Sequence, residues 1–426
     1  MLSVTFRDQM ALGVNRRFFY GWIMVFVAMV GYFVSGPGQS HMFSVFILPL
    51  STDLGLDQTE ISFAYAIATL AAAFGLPYIG RLIDRYGMRQ VVLVTTVLLG
   101  FAAIGFGQVQ NLIMLGLLFG ALRFLGQGTM MLSSSNLVAQ WFSAKRGFAA
   151  SLVALGFSAS VALHPPLAQW LIDQVGWREA WFWLGILTWI IYLPLVYFLV
   201  QNKPEDIGLL PDGVKVTDEN DQTKPSDADL GLTSSEALRT SAFWITALSL
   251  SSFSMLVTAL FFYQVSIFQT QGLSEQIATR VFPISAMTMV CCMPIFGRLL
   301  DRYPTKPLFA AAMLLMTGSL VSMVFVQDLP TAVIYAVIFG LNNAAVHALI
   351  GYVWPRFFGR KHLGSIQGTA ATIMVVGASI GPLPLGATYD VTGSYQLALL
   401  SLAIIPVICA IAVLFMRPPD LSKTRA

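Results

Sequence analysis

Charge is what this chain has least of. Only 11% of its 426 residues are Asp, Glu, Lys or Arg, against roughly a quarter in a soluble domain. Hydrophobic residues reach 56% and mean hydropathy is +0.73, which excludes an ordinary water-soluble fold. The net charge of +3 is scattered over short loops, which excludes a nucleic-acid face. Cysteine is scarce too: Cys291, Cys292 and Cys409 all sit in apolar runs, where they act as small hydrophobes, so neither a disulfide nor a metal site is expected. No Walker loop, strand-led glycine turn, spaced Cys/His set or nucleophile elbow occurs. That excludes ATP-driven transport by this chain alone and the common enzyme classes, and no cofactor is expected.

No acidic residue falls in the interior of an apolar run. Asp53, Asp57, Glu60, Asp84, Asp173, Glu179, Glu275, Asp301, Asp328 and Asp390 all lie at run ends or in loops. A carrier that trades an organic cation for a proton generally needs a buried carboxylate. That class is therefore disfavoured.

What the chain does contain is twelve apolar runs. The first, from about Phe19 to Leu48, is too long for a signal-peptide core and lacks a cleavage site. Gly36-Pro37-Gly38 interrupts it, and such a break survives in a membrane only where protein or a wet cavity satisfies the freed backbone groups. Further runs of roughly 20 residues, enough to cross about 30 Å of hydrocarbon, follow at about 60–80, 88–106, 112–138, 147–172 and 180–200. A second set lies at about 243–270, 275–297, 306–326, 331–355, 363–388 and 394–416. The expected organisation is an arm at 1–18, a six-helix bundle at 19–200, a solvated linker at 201–240, a second bundle at 241–416 and a tail at 417–426.

Of the 24 Lys and Arg, only Arg178 and Arg280 fall outside if the N-terminus is cytoplasmic, and Arg123 is intramembrane. This asymmetry places both termini in the cytoplasm. A multi-pass plasma-membrane protein is expected, a bacterial inner-membrane one in particular.

A charged cassette occurs twice, Gly80-Arg81-Leu82-Ile83-Asp84-Arg85-Tyr86 and Gly297-Arg298-Leu299-Leu300-Asp301-Arg302-Tyr303. Each copy closes an apolar run, which argues for internal duplication. Asp84 at the end of helix 2 could cap a helix entering from the same side, with Arg85 and Arg89 bonding carboxylate or carbonyl groups. The plainer reading is a charged turn that anchors topology.

The pattern Gly80-x-x-x-Asp84-Arg85-x-Gly87-x-Arg89 resembles the signature of the major facilitator superfamily. Arg123 with Gly126 and Gly128, and Gly176-Trp177-Arg178, are similar to further elements of it. Trp141-Phe142 with Lys145-Arg146-Gly147, Lys203-Pro204-Glu205-Asp206-Ile207-Gly208-Leu209 and Phe357-Phe358-Gly359-Arg360 resemble its monocarboxylate-transporter and oxalate:formate-antiporter branches. The resemblance implies an all-α integral membrane fold of twelve transmembrane helices in two pseudo-symmetric six-helix bundles. It also implies that the cassettes form a gating latch between the bundles, Gly80, Asp84, Arg85, Gly87 and Arg89 in one and Asp301 and Arg302 in the other. The second copy departs at Pro304 and Thr305. Monocarboxylate carriers also carry a charge well inside helix 8, where this chain reads Met289-Val290-Cys291-Cys292-Met293.

Chemistry is expected near the bilayer midplane. Entering from Leu112, helix 4 carries Arg123 roughly 16 Å down at 1.5 Å per residue. An unpaired arginine there costs about 3 kcal/mol, so it should face a wet cavity or a partner; a structural arginine bonding a neighbour's carbonyls is the alternative. Matching Phe119-Gly120 to Phe339-Gly340 carries Arg123 onto Asn343 and Gln127 onto His347. Each pair is spaced to share a helix face. Together with Asn342 they would present one cation among neutral groups, which suits a small anion. Tyr32, Gln39, Tyr263 and Gln264 lie on helices that the resemblance implies line the cavity. His347 and His164 are the proton-coupling candidates, although buried structural histidines are the alternative; His41 and His362 are expected to be solvated near membrane edges. Arg280 either draws anions to the mouth or snorkels.

The expected function is secondary transport of a small organic anion, a monocarboxylate in particular, by proton symport or anion exchange and as a monomer. An exporter of neutral or cationic metabolites on the same fold, or a transporter-like receptor, is the alternative. The partners are a carboxylate, possible co-transported protons and the bilayer.

Overall fold

The computed structural model describes residues 6–15, 18–142, 145–213, 231–359 and 363–419. Among these residues ten helices are long and apolar enough to cross a membrane. One of them, Gly147–Leu199, is two spans joined at Gly176, whose φ of 81° suits only a residue without a side chain. The first span is too short to count in one piece because it breaks: α1 (Gly21–Val34) gives way to a tight turn at Gly36–Gly38 and a short helix at Ser40–Phe43. Resolving the bend and the break yields the twelve expected spans.

They are α1, α2 (Gln58–Tyr86), α3 (Met88–Phe106), α4 (Leu112–Trp141), α5 and α6 (the arms 146–175 and 177–199), α7 (Ser241–Thr270), α8 (Glu275–Arg302), α9 (Thr305–Val324), α10 (Leu329–Phe358), α11 (363–392) and α12 (Gln396–Phe415). Helices α2 and α8 run further than the apolar runs at 60–80 and 275–297, through the charged cassettes. Apolarity stops at the hydrocarbon edge, whereas the backbone hydrogen-bond ladder does not. Large apolar side chains such as Ile113, Leu117 and Phe415 are exposed, as lipid-facing positions require.

The chain divides into two compact units, Met1–Pro49 with Ile67–Glu219 and Leu50–Ala66 with Asn220–Ala426. In the first unit α1 packs on α5, where a side chain at Gly156 would meet the Met29 carbonyl at 1.9 Å. In the same unit α3 packs on α6, where the Trp189 Nε1 donates to the carbonyls of Thr96 (3.2 Å) and Val97 (3.1 Å). Phe43, Phe106, Phe119 and Trp181 interlock as its aromatic core. Arg178 donates to the carbonyls of Gly107 (3.0 Å) and Val109 (2.8 Å), closing the α3–α4 turn.

The second unit repeats these pairings, α7 on α11 and α9 on α12. Asp328 caps α10 through the Thr331 amide (3.0 Å) and hydroxyl (2.6 Å), and these bonds hold its carboxyl below the ordinary 3.8. A depressed carboxyl stabilises above its unfolded value, so this contribution is present above pH 3.8 and is lost as pH falls through the lowered native value.

The repeat register follows from the helix ends. Helices 58, 88, 112 and 146 begin 217 residues before 275, 305, 329 and 363, and α4 and α10 also end 217 apart, at 141 and 358. The charged cassettes keep this offset, 80 against 297. The Phe119-Gly120 match to Phe339-Gly340 is therefore out of register by three residues. Corrected, Arg123 pairs with Gly340, and Asn343 with Gly126. A shared dipeptide is weaker evidence of equivalence than four shared helix starts.

Candidate functional site

The site in the first unit is built on the break in α1. Gly36-Pro37-Gly38 turns the chain through a tight 3₁₀ turn, and Gly38 lies against α4 so closely that an added side chain would meet the Leu122 carbonyl at 2.2 Å. Gly126 is its counterpart: a side chain there would meet the Gly38 Cα at 2.9 Å. Two glycines thus let two backbones touch, and the Gly38 carbonyl freed by the break points at α4. Arg123 satisfies it, NH1 donating at 3.0 Å, while its Nε donates to the Thr69 hydroxyl at 3.2 Å.

Arg123 is 2% exposed, and among the described residues it is the one Arg, Lys, Asp or Glu in the buried class. Its insertion cost of about 3 kcal/mol is offset by two charge-assisted bonds of about 1.5–3 kcal/mol each. The backbone that carries it is unusual. From Arg123 to Met130 the helix widens to π winding, a rare turn that recurs at functional sites. Gln127 on the same turn is half-buried. Gln39, next to the break, is buried and donates to Ser35 Oγ (3.0 Å) and the Met131 sulfur (3.1 Å). Half-buried Tyr32 bonds Ser135.

Three further residues belong to this layer. His41, expected in solvent, is 1% exposed. Its Nε2 lies 3.1 Å from the Ser160 hydroxyl, which lies 3.0 Å from Nδ1 of His164. The expectation failed because it measured distance along an unbroken helix, whereas the break folds His41 back into protein. The signal was present: a membrane helix break must be buried, and His41 lies three residues beyond it. His164 is buried and also faces the Ser160 carbonyl at 3.2 Å. His362 lies outside the described residues.

The second unit holds its candidates in two places. Asn342 donates to the Ala312 carbonyl (2.8 Å), Asn343 to the Phe339 carbonyl (2.8 Å), and His347 Nδ1 lies 2.9 Å from the Asn343 carbonyl. The asparagines are buried and His347 is half-buried. Gln264 accepts from the Tyr335 hydroxyl (3.2 Å) and donates to the Ala278 carbonyl (3.4 Å). Tyr263 sits apart from these. Fully buried, it bonds the Ser62 hydroxyl and donates to the Gln58 carbonyl (3.0 Å), while Tyr395 bonds the Gln58 side chain.

These bonds moor the first turn of α2, whose amides at Gln58 (3.2 Å) and Thr59 (2.7 Å) donate to the Asp390 carboxylate. A carboxylate at a helix N-terminus is favourable on both hydrogen-bond and dipole grounds. Asp390→Ala should cost about 1 kcal/mol and lower the thermal midpoint in detergent; an unchanged midpoint would show that the cap contributes nothing.

Of the cassette residues, Arg85 is exposed and lies over the Tyr86 ring (5.2 Å), and Asp301 and Arg302 are exposed. Gly80 has open space around it. Gly87, with φ 83°, starts α3, and Arg89 donates to the Tyr197 carbonyl at 3.0 Å within the first unit. The side chain of Asp84 lies outside the described residues.

The profile of the Major Facilitator Superfamily matches residues 21–329 and 269–426. The chain belongs to that superfamily. As a member it is a membrane transporter of metabolites and not an enzyme. It is 25% identical over 396 residues to monocarboxylate transporter 4 of Rattus norvegicus, covering 88% of this chain and 79% of that one. Over 193 residues it is 28% identical to the probable galactarate/D-glucarate transporter GudP of Escherichia coli (strain K12), covering 43% and 41%. Its fold is similar to that of a bacterial homologue of the human lysosomal transporter Spinster, with TM-score 0.71 and 13% identity over 92% of this chain and 96% of that one.

Proposed function

We propose that this superfamily member is a secondary transporter of small carboxylates, and that Arg123 is the group that holds the carboxylate. The observation that carries the reading is the buried guanidinium on a widened turn, held by two neutral acceptors, the Gly38 carbonyl and Thr69. A carboxylate that takes the place of the Gly38 carbonyl would gain a bidentate, charge-assisted pair, stronger than the bond it displaces. Gln127 and Gln39, in the same unit as Arg123, offer neutral hydrogen-bonding groups. The names of the two carriers above, for monocarboxylates and for a sugar diacid, add support. Both termini are placed in the cytoplasm, on the asymmetry of Lys and Arg, and the cassettes around Asp84 and Asp301 serve as latches in an alternating-access cycle.

One observation favours a second reading. The bond from Arg123 to the Gly38 carbonyl braces a helix break, which a purely structural arginine would also do. The deciding experiment is uptake into proteoliposomes of labelled lactate, D-glucarate and 4-hydroxybenzoate, with and without an inward proton gradient. Uptake of at least one, competed by unlabelled compound, is expected. Binding without uptake would favour a receptor, and no response to any carboxylate would turn the search to neutral or cationic metabolites.

A further inference from the structure

Helix α1 does more at its break than meet Arg123. Gly36 is packed against the His164 ring so tightly that an added side chain would fall 2.5 Å from Cε1. The missing side chain is what makes room for the imidazole. In the repeat register of α5 and α11, Ser160 and His164 correspond to Gly377 and Gly381. Both of those glycines touch the backbone of unbroken α7, at the Ser251 and Met255 carbonyls (2.6 and 2.2 Å from an added side chain). Where the second unit has two helix-packing glycines, the first has a hydroxyl and an imidazole, and the helix that faces them is broken.

The result is a continuous polar line, His41 Nε2 to Ser160 Oγ to His164 Nδ1, with spacings of 3.1 and 3.0 Å. It is enclosed by rings: Phe157 stands edge-on to His41 at 5.7 Å and Phe33 lies over His164 at 4.6 Å. Among the charged groups that act on His41 are His164 and Arg123. Hydroxyls bridging two imidazoles can pass a proton without moving heavy atoms. When His41 is doubly protonated, its Nε2–H goes to Ser160 Oγ as the serine hydroxyl proton goes to Nδ1 of His164. His41 is left neutral and His164 carries the charge, with one proton and one positive charge conserved.

We propose that His41, Ser160 and His164 form one buried proton-binding site, which takes up a single proton together with the transported anion. The inference rests on the carboxylate reading of Arg123. Burial among rings disfavours a cation on the pair, and Arg123 adds repulsion at His41. An anion seated on Arg123 removes that repulsion, and linkage makes the effect reciprocal. Anion and proton then travel as a neutral pair, which is symport, and the empty protein returns with both sites vacated. The plainer role, a polar brace across the break, uses the same bonds but needs no titration.

The two are separated by Ser160→Ala, which breaks the line and leaves both histidines and Arg123 in place. First, ¹⁵N-histidine spectra of the full-length protein in nanodiscs are followed from pH 5 to 8, with the 4 histidines assigned by single substitution. The His41 and His164 signals should move together, sharing one proton, and Ser160→Ala should uncouple them. Second, accumulation of whichever labelled carboxylate the wild type carries is measured under an acid-outside gradient of one pH unit. One proton per monovalent anion supports about 10-fold accumulation. Ser160→Ala should lose that accumulation, and Ser160→Thr, which restores a hydroxyl, should regain it.

Histidine signals that do not respond over this range, or gradient-driven accumulation unchanged in Ser160→Ala, would overturn the proposal. If the wild type carries none of the carboxylates, the carboxylate reading fails, while the shared titration still decides whether the proton site exists.

Discussion

Arg123→Gln should reduce carboxylate uptake by at least about 100-fold, the loss expected when a bidentate charged pair worth about 3 kcal/mol is removed from substrate binding. Glutamine keeps much of the volume and can still donate to the Gly38 carbonyl, so a brace would be weakened rather than destroyed. Arg123→Lys keeps the charge but not the planar fork, and should recover part of the activity by raising KM more than it lowers the maximal rate. Thermal midpoints measured beside the uptake separate the two readings. A glutamine variant that melts near the wild type yet carries nothing supports an anion-binding arginine. Uptake within about two-fold of wild type in Arg123→Gln, far below the ten-fold that a single 1.4 kcal/mol contact is worth, would sink it.

The second large effect is expected at Gly38. A methyl group there would lie 2.2 Å from the Leu122 carbonyl oxygen and 2.9 Å from the Gly126 Cα and the Gln127 amide. All three are backbone atoms, which cannot swing aside as a side-chain tip can. Gly38→Ala must therefore push the break in α1 away from α4, at an overpacking cost of about 1–3 kcal/mol or more. It also carries the Gly38 carbonyl off Arg123, so transport should fall with stability. Gly126→Ala strains the same contact from the other side, and the double variant should cost less than the two singles together. Gly147→Ala is the control: nothing lies within 4 Å of the added methyl, and the helix should gain a few tenths to about 1 kcal/mol. If Gly38→Ala melted with Gly147→Ala, the close approach would not be a real constraint.

The fold was largely legible in the sequence because hydrocarbon imposes one rule on every span: roughly 20 apolar residues, backbone bonded within the helix. That rule located the spans. It could not give the ends of α2 and α8, which continue past the apolar region, nor the register between halves, which a chance Phe-Gly match displaced. The candidate site was legible in part. A lone arginine deep in an apolar run stands out at once, and the glycine-proline-glycine break was recognisable as something that had to be buried.

What the break does was not legible. Whether Gly38 offers its carbonyl to Arg123, or His41 folds back onto Ser160, depends on the path of a few residues of irregular backbone, which periodicity does not encode. The first turn of α2 was hidden for a different reason. Gln58, Thr59 and Asp390 read as ordinary residues at the ends of their runs, because a cap supplied by a residue 331 positions away leaves no local pattern.

The repeat register carries one more implication. At the position equivalent to Arg123 the second copy has Gly340, pressed against the Ser285 carbonyl and Thr288, and at the positions of Ser160 and His164 it has glycines as well. In all three places one copy has the smallest residue in close contact with a neighbouring helix, while the other has a polar or charged side chain. Duplication supplied two interchangeable scaffolds. Buried side chains able to hold an anion or a proton stand where the two copies cease to be interchangeable, so the internal asymmetry is where tests of specificity begin.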